Sequence, residues 1–257
     1  MKKAVFFDID GTLLGSNRTL AETTKKAIAE LQKNNIFTAI ATGRGPNNIQ
    51  LLTKELNMTS FVGFNGQYVV YSNKAISKNY LDPTYLKLLT KEIENNNHQI
   101  IFLDEIAIRN EDKGFKSLED WKKAHMNNLP LDYSNIFQAI LFAEEHEVDY
   151  LDNFSQHYSF VRWGKEALDI IPTGRSKVEG IKSIVKELNI DMKDVYAFGD
   201  GLNDIEMLQA AGVGVAMGNA HEKVKKHADF ITSDADNDGI VRGLQEVGLL
   251  SNRFQLA

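Results

Sequence analysis

Residues 4–12, AVFFDIDGT, set four apolar side chains directly against two acids separated by one residue. Ala4-Val5-Phe6-Phe7 reads as a fully buried strand, since a strand wetted on one face would alternate apolar with polar residues. Asp8 and Asp10 follow where a carboxylate is costly to desolvate without compensation. Two such groups about 5 Å apart repel by roughly 3 kcal/mol at an effective dielectric near 20. The stretch asks for a cation.

Outward from it, the first 80 residues alternate apolar runs with amphipathic ones. IFTAIA (36–41) and SFVGFNG (60–66) read as strands. A helix is expected from Thr19, with Thr19 and Glu22 as a capping box and Leu20, Ala27, Ile28 and Leu31 on its apolar face, and another from about Pro46 to Leu56. Continuous apolar strands separated by helices predict a parallel sheet covered on both faces. Near residue 82 the pattern changes. Asp82-Pro83 opens a helix carrying Leu86, Leu89 and Ile93, and the strand-like runs QIIFLD, IAIRN, IFQAILFA, YSFVRW and ALDII follow, with helical stretches around 115–125 and 144–153. Their mixed polarity predicts an α+β insert. The first pattern returns at GRSKVEGIKSIVKELNI, with Ser176 and Glu179 as a second capping box and Val178, Ile181, Val185 and Leu188 as the buried stripe. The strands VYAFGD, GVGVAM and DFITSD and helices at 203–211 and 221–228 complete it. The fold class is therefore α/β, split by an insert: one domain from 1–81 and 172–257, the other from 82–171.

The whole chain narrows the function classes. Its 257 residues, 43% hydrophobic, suffice for a sizeable core. A net charge of −6 argues against nucleic acid as partner, since that needs a basic face. The absence of cysteine excludes disulfides, thiolate metal sites and cysteine nucleophiles. No apolar run approaches the roughly 20 residues of a membrane span, and the short one after Lys2-Lys3 is no secretory signal, so a cytoplasmic protein with no membrane partner is expected.

Unusual polar residues cluster at strand ends of the split domain: Asp8 and Asp10, Thr42, Lys177 at a helix start, and Asp200 to Asp204 in GDGLND. Open parallel sheets bind ligands at the carboxyl ends of their strands, so these scattered groups can converge. Four carboxylates with oxygen-only ligands favour Mg²⁺ over zinc.

In order and spacing, DIDGT, TGR, the lysine of GRSKVEG and GDGLND resemble the four motifs of the haloacid dehalogenase superfamily. The insert, GFNG after the second motif and DGI near the end are similar to its type IIB, Cof-like phosphatases. That resemblance implies a Rossmann-like parallel-sheet core with an inserted α+β cap domain. It implies a Mg²⁺-dependent phosphatase of small phosphorylated metabolites, sugar phosphates above all, in a monomer or small homo-oligomer. Asp8 would be the nucleophile and Asp10 the general acid and base. Mg²⁺ would sit between Asp8, the backbone carbonyl of Asp10 and Asp200, with Asp204 behind it. Thr42, Gly43, Arg44, Lys177 and Asn203 would bind the phosphoryl group. Trp121, His125, Arg162 and Trp163 are candidate cap contacts to substrate. A phosphomutase, or a phosphatase of a cofactor such as pyridoxal phosphate, shares the same core chemistry. A non-catalytic phosphate-binding protein would be expected to lack at least one of these groups.

Other motifs carry no chemistry. DADNDG (234–239) imitates an EF-hand, but Gln245 stands where a bidentate Glu is needed, so a turn is expected. GVGVAMG lacks the dinucleotide spacing. His98, His125, His146 and His157 show no ligand pairing. Asn65 in FNG either forms the turn alone or contacts cap or substrate.

Overall fold

In the computed structural model, which describes residues 2–104 and 132–254, Ala4–Phe7 forms strand β1 with all its side chains buried. It pairs in parallel with β2 (Phe37–Ala41) on one flank and β10 (Val195–Gly199) on the other. Among the described residues the sheet has eight strands. Its order is β12 (Phe230–Ile231), β11 (Val213–Ala216), β10, β1, β2, β3 (Phe61–Gly63), β4 (Tyr68–Tyr71), β5 (Lys74–Lys78). Pairing is parallel from β12 to β3, and β4 returns antiparallel to β3.

The chain builds outward from β1 through β2 and β3, then resumes on the opposite flank of β1 with β10. Such a reversal of winding leaves a crevice at the carboxyl ends of the two central strands, where α/β proteins bind ligands. Register sets Phe7 beside Phe198. Asp8 therefore leaves β1 level with the end of β10, and its N–H still donates to the Phe198 carbonyl at 2.9 Å.

Helices α1 (Glu22–Lys33), α2 (Gln50–Glu55, after a 3-10 turn at Pro46–Ile49), α4 (Lys177–Leu188), α5 (Ile205–Ala210), α6 (Glu222–Lys225) and α7 (Gly239–Glu246) accompany this sheet. Two expected capping boxes are absent. Helix α1 starts at Glu22 behind Ala21. Thr19 is diverted, because its N–H and hydroxyl both donate to Asn17 Oδ1, at 3.0 and 2.6 Å, in a local turn that competes with the helix. Ser176 does precede α4, but its side chain makes no capping bond, and Glu179 pairs instead with Lys182 at 2.8 Å. The hairpin β4–β5 was not foreseen. Its turn uses Ser72 and Asn73 at φ 48° and 62°, the positive values a tight hairpin needs, without the glycine that usually announces one.

Contacts divide the chain into two compact units. The first comprises Met1–Gly43, Leu51–Ser77 and Ser176–Ala257, and the second Arg44–Gln50 and Lys78–Arg175. The second holds an antiparallel sheet ordered β6 (Gln99–Asp104), β7 (Ile136–Phe142), β9 (Ala167–Pro172), β8 (Tyr158–Gly164). Helix α3 (Pro83–Asn95) buries Leu86, Leu89 and Ile93 in one cluster with Ile100, Leu141 and Ile170. Asp82 caps it as expected, accepting from the N–H groups of Thr84 (2.8 Å) and Tyr85 (3.3 Å). The expected elements at 106–110 and 115–125, with Trp121 and His125, lie outside the described residues. No helix among the described residues is long and apolar enough to cross a membrane.

Helix α4 lies close against β3 because Gly180 removes a side chain: a Cβ there would stand 2.4 Å from Val62 Cγ1. Alanine normally gains about 1 kcal/mol over glycine inside a helix. Here the clash with a buried, stiff valine outweighs that gain, as overpacking costs about 1–3 kcal/mol. Gly180→Ala is therefore expected to lower the denaturant midpoint; a raised midpoint would contradict this packing.

Candidate active site

The site is assembled from two turns that leave strand ends and from the start of one helix, all in the first unit. After Asp8 the chain turns sharply, with Gly11 N–H donating to Leu14 O at 2.9 Å and Leu14 N–H to Ile9 O at 2.8 Å. Gly11 has φ +79°, and a Cβ there would lie 2.2 Å from Asp200 Oδ2. Both the left-handed backbone and the close approach thus require glycine. The next residue, Thr12, donates its hydroxyl to Asp200 Oδ1 at 2.9 Å.

The second turn follows β10. Asp204 is fully buried, and its Oδ2 accepts from the N–H groups of Asp200 (3.0 Å) and Gly201 (2.8 Å). A Cβ on Gly199 would stand 2.6 Å from Asp204 Cβ, so glycine makes room for this return. The third contribution is Lys177, the first residue of α4 and 1% exposed. Its Nζ donates to Asp8 Oδ1 and to Asp204 Oδ1, each at 2.6 Å.

Oxygen atoms of Asp8, Asp200 and Asp204 lie within 4.8 Å of one another. Three carboxylates thus share one buried ammonium, and the charges do not balance. Burial pushes the Asp8 carboxyl up to about 8, opposed by Lys177 and reinforced by Asp204. Burial and Asp204 likewise push Asp200 up to about 6, against the Thr12 hydrogen bond. Burial works against the charge on Lys177, but Asp204 and Asp8 outweigh it and hold the ammonium above its ordinary value. Lys177 stays charged and the surplus negative charge rests on the carboxylates. An all-oxygen set of this kind could hold a hard divalent cation.

The other expected residues divide. Thr42, at the end of β2, is buried, its N–H donating to Val62 O (2.8 Å) and its carbonyl accepting from Asn65 N–H (3.0 Å). Asn203 Nδ2 donates to Asn65 Oδ1 at 3.0 Å. Asp10 is exposed and stands outside the three-carboxylate group. Gly43 closes the first segment of the first unit, whereas Arg44 belongs to the second unit. There Arg162 Nη1 donates to the carbonyls of Ala143 (3.0 Å) and Lys165 (3.0 Å), so it clips a turn. Trp163 Nε1 donates to Asp169 Oδ1 at 2.9 Å. His98 bonds Tyr150 (2.9 Å), His146 faces Glu144, and His157 stacks on Tyr85. The acids of DADNDG serve as fasteners, Asp236 accepting from Ser16 N–H (3.1 Å) and Asp238 from the Thr23 hydroxyl (2.6 Å).

Sequence reasoning missed Thr12 and Asn219, whose Nδ2 donates to Gly11 O at 2.8 Å. Thr12 was legible only as the last letter of DIDGT, and Asn219 carried no signal. Asn65 proves to be buried and to hold Asn203.

The raised carboxyl values have a consequence for stability. Asp8 and Asp200 bind protons in the folded state that they release on unfolding, so stability falls as pH rises from about 4 toward about 8. In chelator, the thermal midpoint is expected to be lower at about pH 8 than at about pH 6. The reverse order would contradict the surplus of buried carboxylate.

Comparison with known proteins agrees with this geometry. The family profile of haloacid dehalogenase-like hydrolases matches residues 5–244. YkrA of Bacillus subtilis (strain 168), which bears the name of a phosphatase, is 38% identical over 96% of this chain and 98% of its own. A hypothetical protein from Geobacillus kaustophilus HTA426 is 39% identical in its crystal structure, with TM-score 0.79 over 97% of this chain and 100% of its own. The subclass IIB sugar phosphatase BT4131 is 28% identical, with TM-score 0.83 over 97% of this chain and 100% of its own. A match along nearly the whole length, over a sheet whose central crevice gathers these motifs, has one reading: this chain belongs to the haloacid dehalogenase-like hydrolases, on their type IIB, Cof-like branch.

Proposed function

We propose that the chain hydrolyses small phosphate monoesters, sugar phosphates above all, through a phosphoryl group carried on Asp8. The observation that carries this reading is the buried Asp8 carboxylate at the sheet's central crevice, one oxygen held by Lys177 at 2.6 Å. With Oδ1 so engaged, Oδ2 is the attacking atom. It forms a bond to phosphorus as the bond from phosphorus to the ester oxygen breaks. Asp10, two residues on and exposed, gives its proton to the departing alkoxide. The resulting Asp10 carboxylate then takes a proton from water, whose oxygen attacks phosphorus, frees inorganic phosphate and restores Asp8. Lys177, Thr42 and Asn203, with Gly43 and Arg44, bind the phosphoryl oxygens.

Asp8, Asp200 and the backbone carbonyl of Asp10 are the oxygens suited to holding Mg²⁺. Asp204 supports them from behind, since Lys177 and two N–H groups already engage its oxygens. When bound, the ion supplies the positive charge that lets a phosphate dianion approach these acids. The donor set fits: the cluster is all oxygen and carries surplus negative charge. Residues 82–171 serve as the cap that selects the substrate and excludes water. The protein acts in the cytoplasm on small metabolites, as a monomer or small homo-oligomer.

Leaving-group chemistry tests the two acids separately. Asp8→Asn is expected to abolish turnover of every ester. Asp10→Asn is expected to slow a sugar phosphate by roughly 10²–10⁴, because an alkoxide needs the proton. Its first step on 4-nitrophenyl phosphate should survive, as 4-nitrophenolate leaves unprotonated, and phosphate should then accumulate on the protein. Equal turnover of both esters by Asp10→Asn at the wild-type rate would refute the assignment. Exhaustive chelation should stop turnover and Mg²⁺ restore it; full activity in chelator would refute the metal requirement.

A further inference from the structure

The turn Phe64-Asn65-Gly66 after β3 carries φ values of 49°, 51° and 100° in succession. Phe64 and Asn65 are buried. A bulky residue at positive φ is a genuine outlier, and such conformations persist only where the surroundings over-determine them. The surroundings here are the site's own parts. Asn65 N–H donates to Thr42 O at 3.0 Å. Asn65 Oδ1 accepts from Asn203 Nδ2 at 3.0 Å. A Cβ on Gly66 would meet the Ser176 carbonyl at 2.1 Å, so this backbone runs hard against the residue that precedes Lys177. One short turn thereby touches the segments carrying Thr42, Lys177 and Asn203.

A left-handed turn by itself asks only for glycine or asparagine. The side chain of Asn65 does more. An asparagine amide has a donor end and an acceptor end, and its partners decide which way each faces. By accepting one Nδ2 hydrogen, Asn65 Oδ1 fixes the orientation of the Asn203 amide and leaves its other hydrogen to donate elsewhere. We propose that Asn65 is the positioning residue for Asn203: it touches no substrate, and it orients the Asn203 amide to donate to the transferring phosphoryl group. This rests on the phosphatase reading given above.

Asn65→Gly keeps the left-handed turn and removes the acceptor. With 4-nitrophenyl phosphate, Asn65→Gly is expected to lower kcat/KM by about 3- to 10-fold, the worth of one hydrogen bond. In an Asn203→Ala background, Asn65→Gly should cost nothing further. No loss in the single variant, or the same loss in both backgrounds, would overturn the proposal. A second readout needs no turnover. The Asn203 side-chain amide signals in a ¹⁵N spectrum are identified by their disappearance in Asn203→Ala, and Asn65→Gly should shift them. Unmoved signals would overturn the proposal even if the wild-type protein hydrolysed no ester, which is how failure of the phosphatase reading itself would show.

Discussion

Lys177 places one ammonium 2.6 Å from the carboxylates of both Asp8 and Asp204, with all three groups out of solvent. Removing one member of such a buried network leaves a charge uncompensated, at a cost of about 3–5 kcal/mol, so the network binds three distant segments to one arrangement. Asp8 ends β1, Asp204 lies in the turn after β10, and Lys177 opens the helix packed on β3. The parallel register of β1 with β10 brings the two acids level, and the Gly180–Val62 approach brings the lysine within reach. Much of the remaining architecture keeps these atoms in place. Gly11 and Gly199 are absent side chains where the returning acids pass, and Thr12 and two backbone N–H groups orient those acids.

The same network leaves the site short of positive charge. One ammonium cannot balance three carboxylates, and burial, which disfavours their charged forms, pushes Asp8 and Asp200 up. A divalent cation would cancel that surplus and so let a phosphate dianion approach, which is why binding and chemistry are proposed to share one crevice. Asp10 is exposed and stands outside this buried cluster, and the proton transfers are proposed for it on that ground.

Elements whose signal is local were legible in the sequence. The apolar runs at β1, β2 and β10 announced a covered parallel sheet, and Asp82-Pro83 announced a capped helix. Spacing of DIDGT, TGR, the lysine and GDGLND named the family that the whole-length comparisons show. What failed was decided by competition or by distance. Asn17 captures Thr19 before it can cap α1, and the Ser72-Asn73 turn lacks the glycine that would reveal a hairpin. Helix α7 went unread because DADNDG looked only like a turn, although Asp238 of that turn leads directly into it. The bonds from Thr12 to Asp200 and from Asn203 to Asn65 span 188 and 138 positions, and no local pattern foretells such pairs.

The central claim is that Asp8 receives the phosphoryl group. An acyl phosphate, unlike a free carboxylate, is reduced to an alcohol by borohydride. The wild-type protein, mixed with Mg²⁺ and excess 4-nitrophenyl phosphate, quenched in acid within one turnover and reduced, can be digested and sequenced by mass spectrometry. The account predicts one reduced side chain, at position 8. A reduced side chain at position 10, 200 or 204, or no reduction anywhere during active turnover, would contradict it.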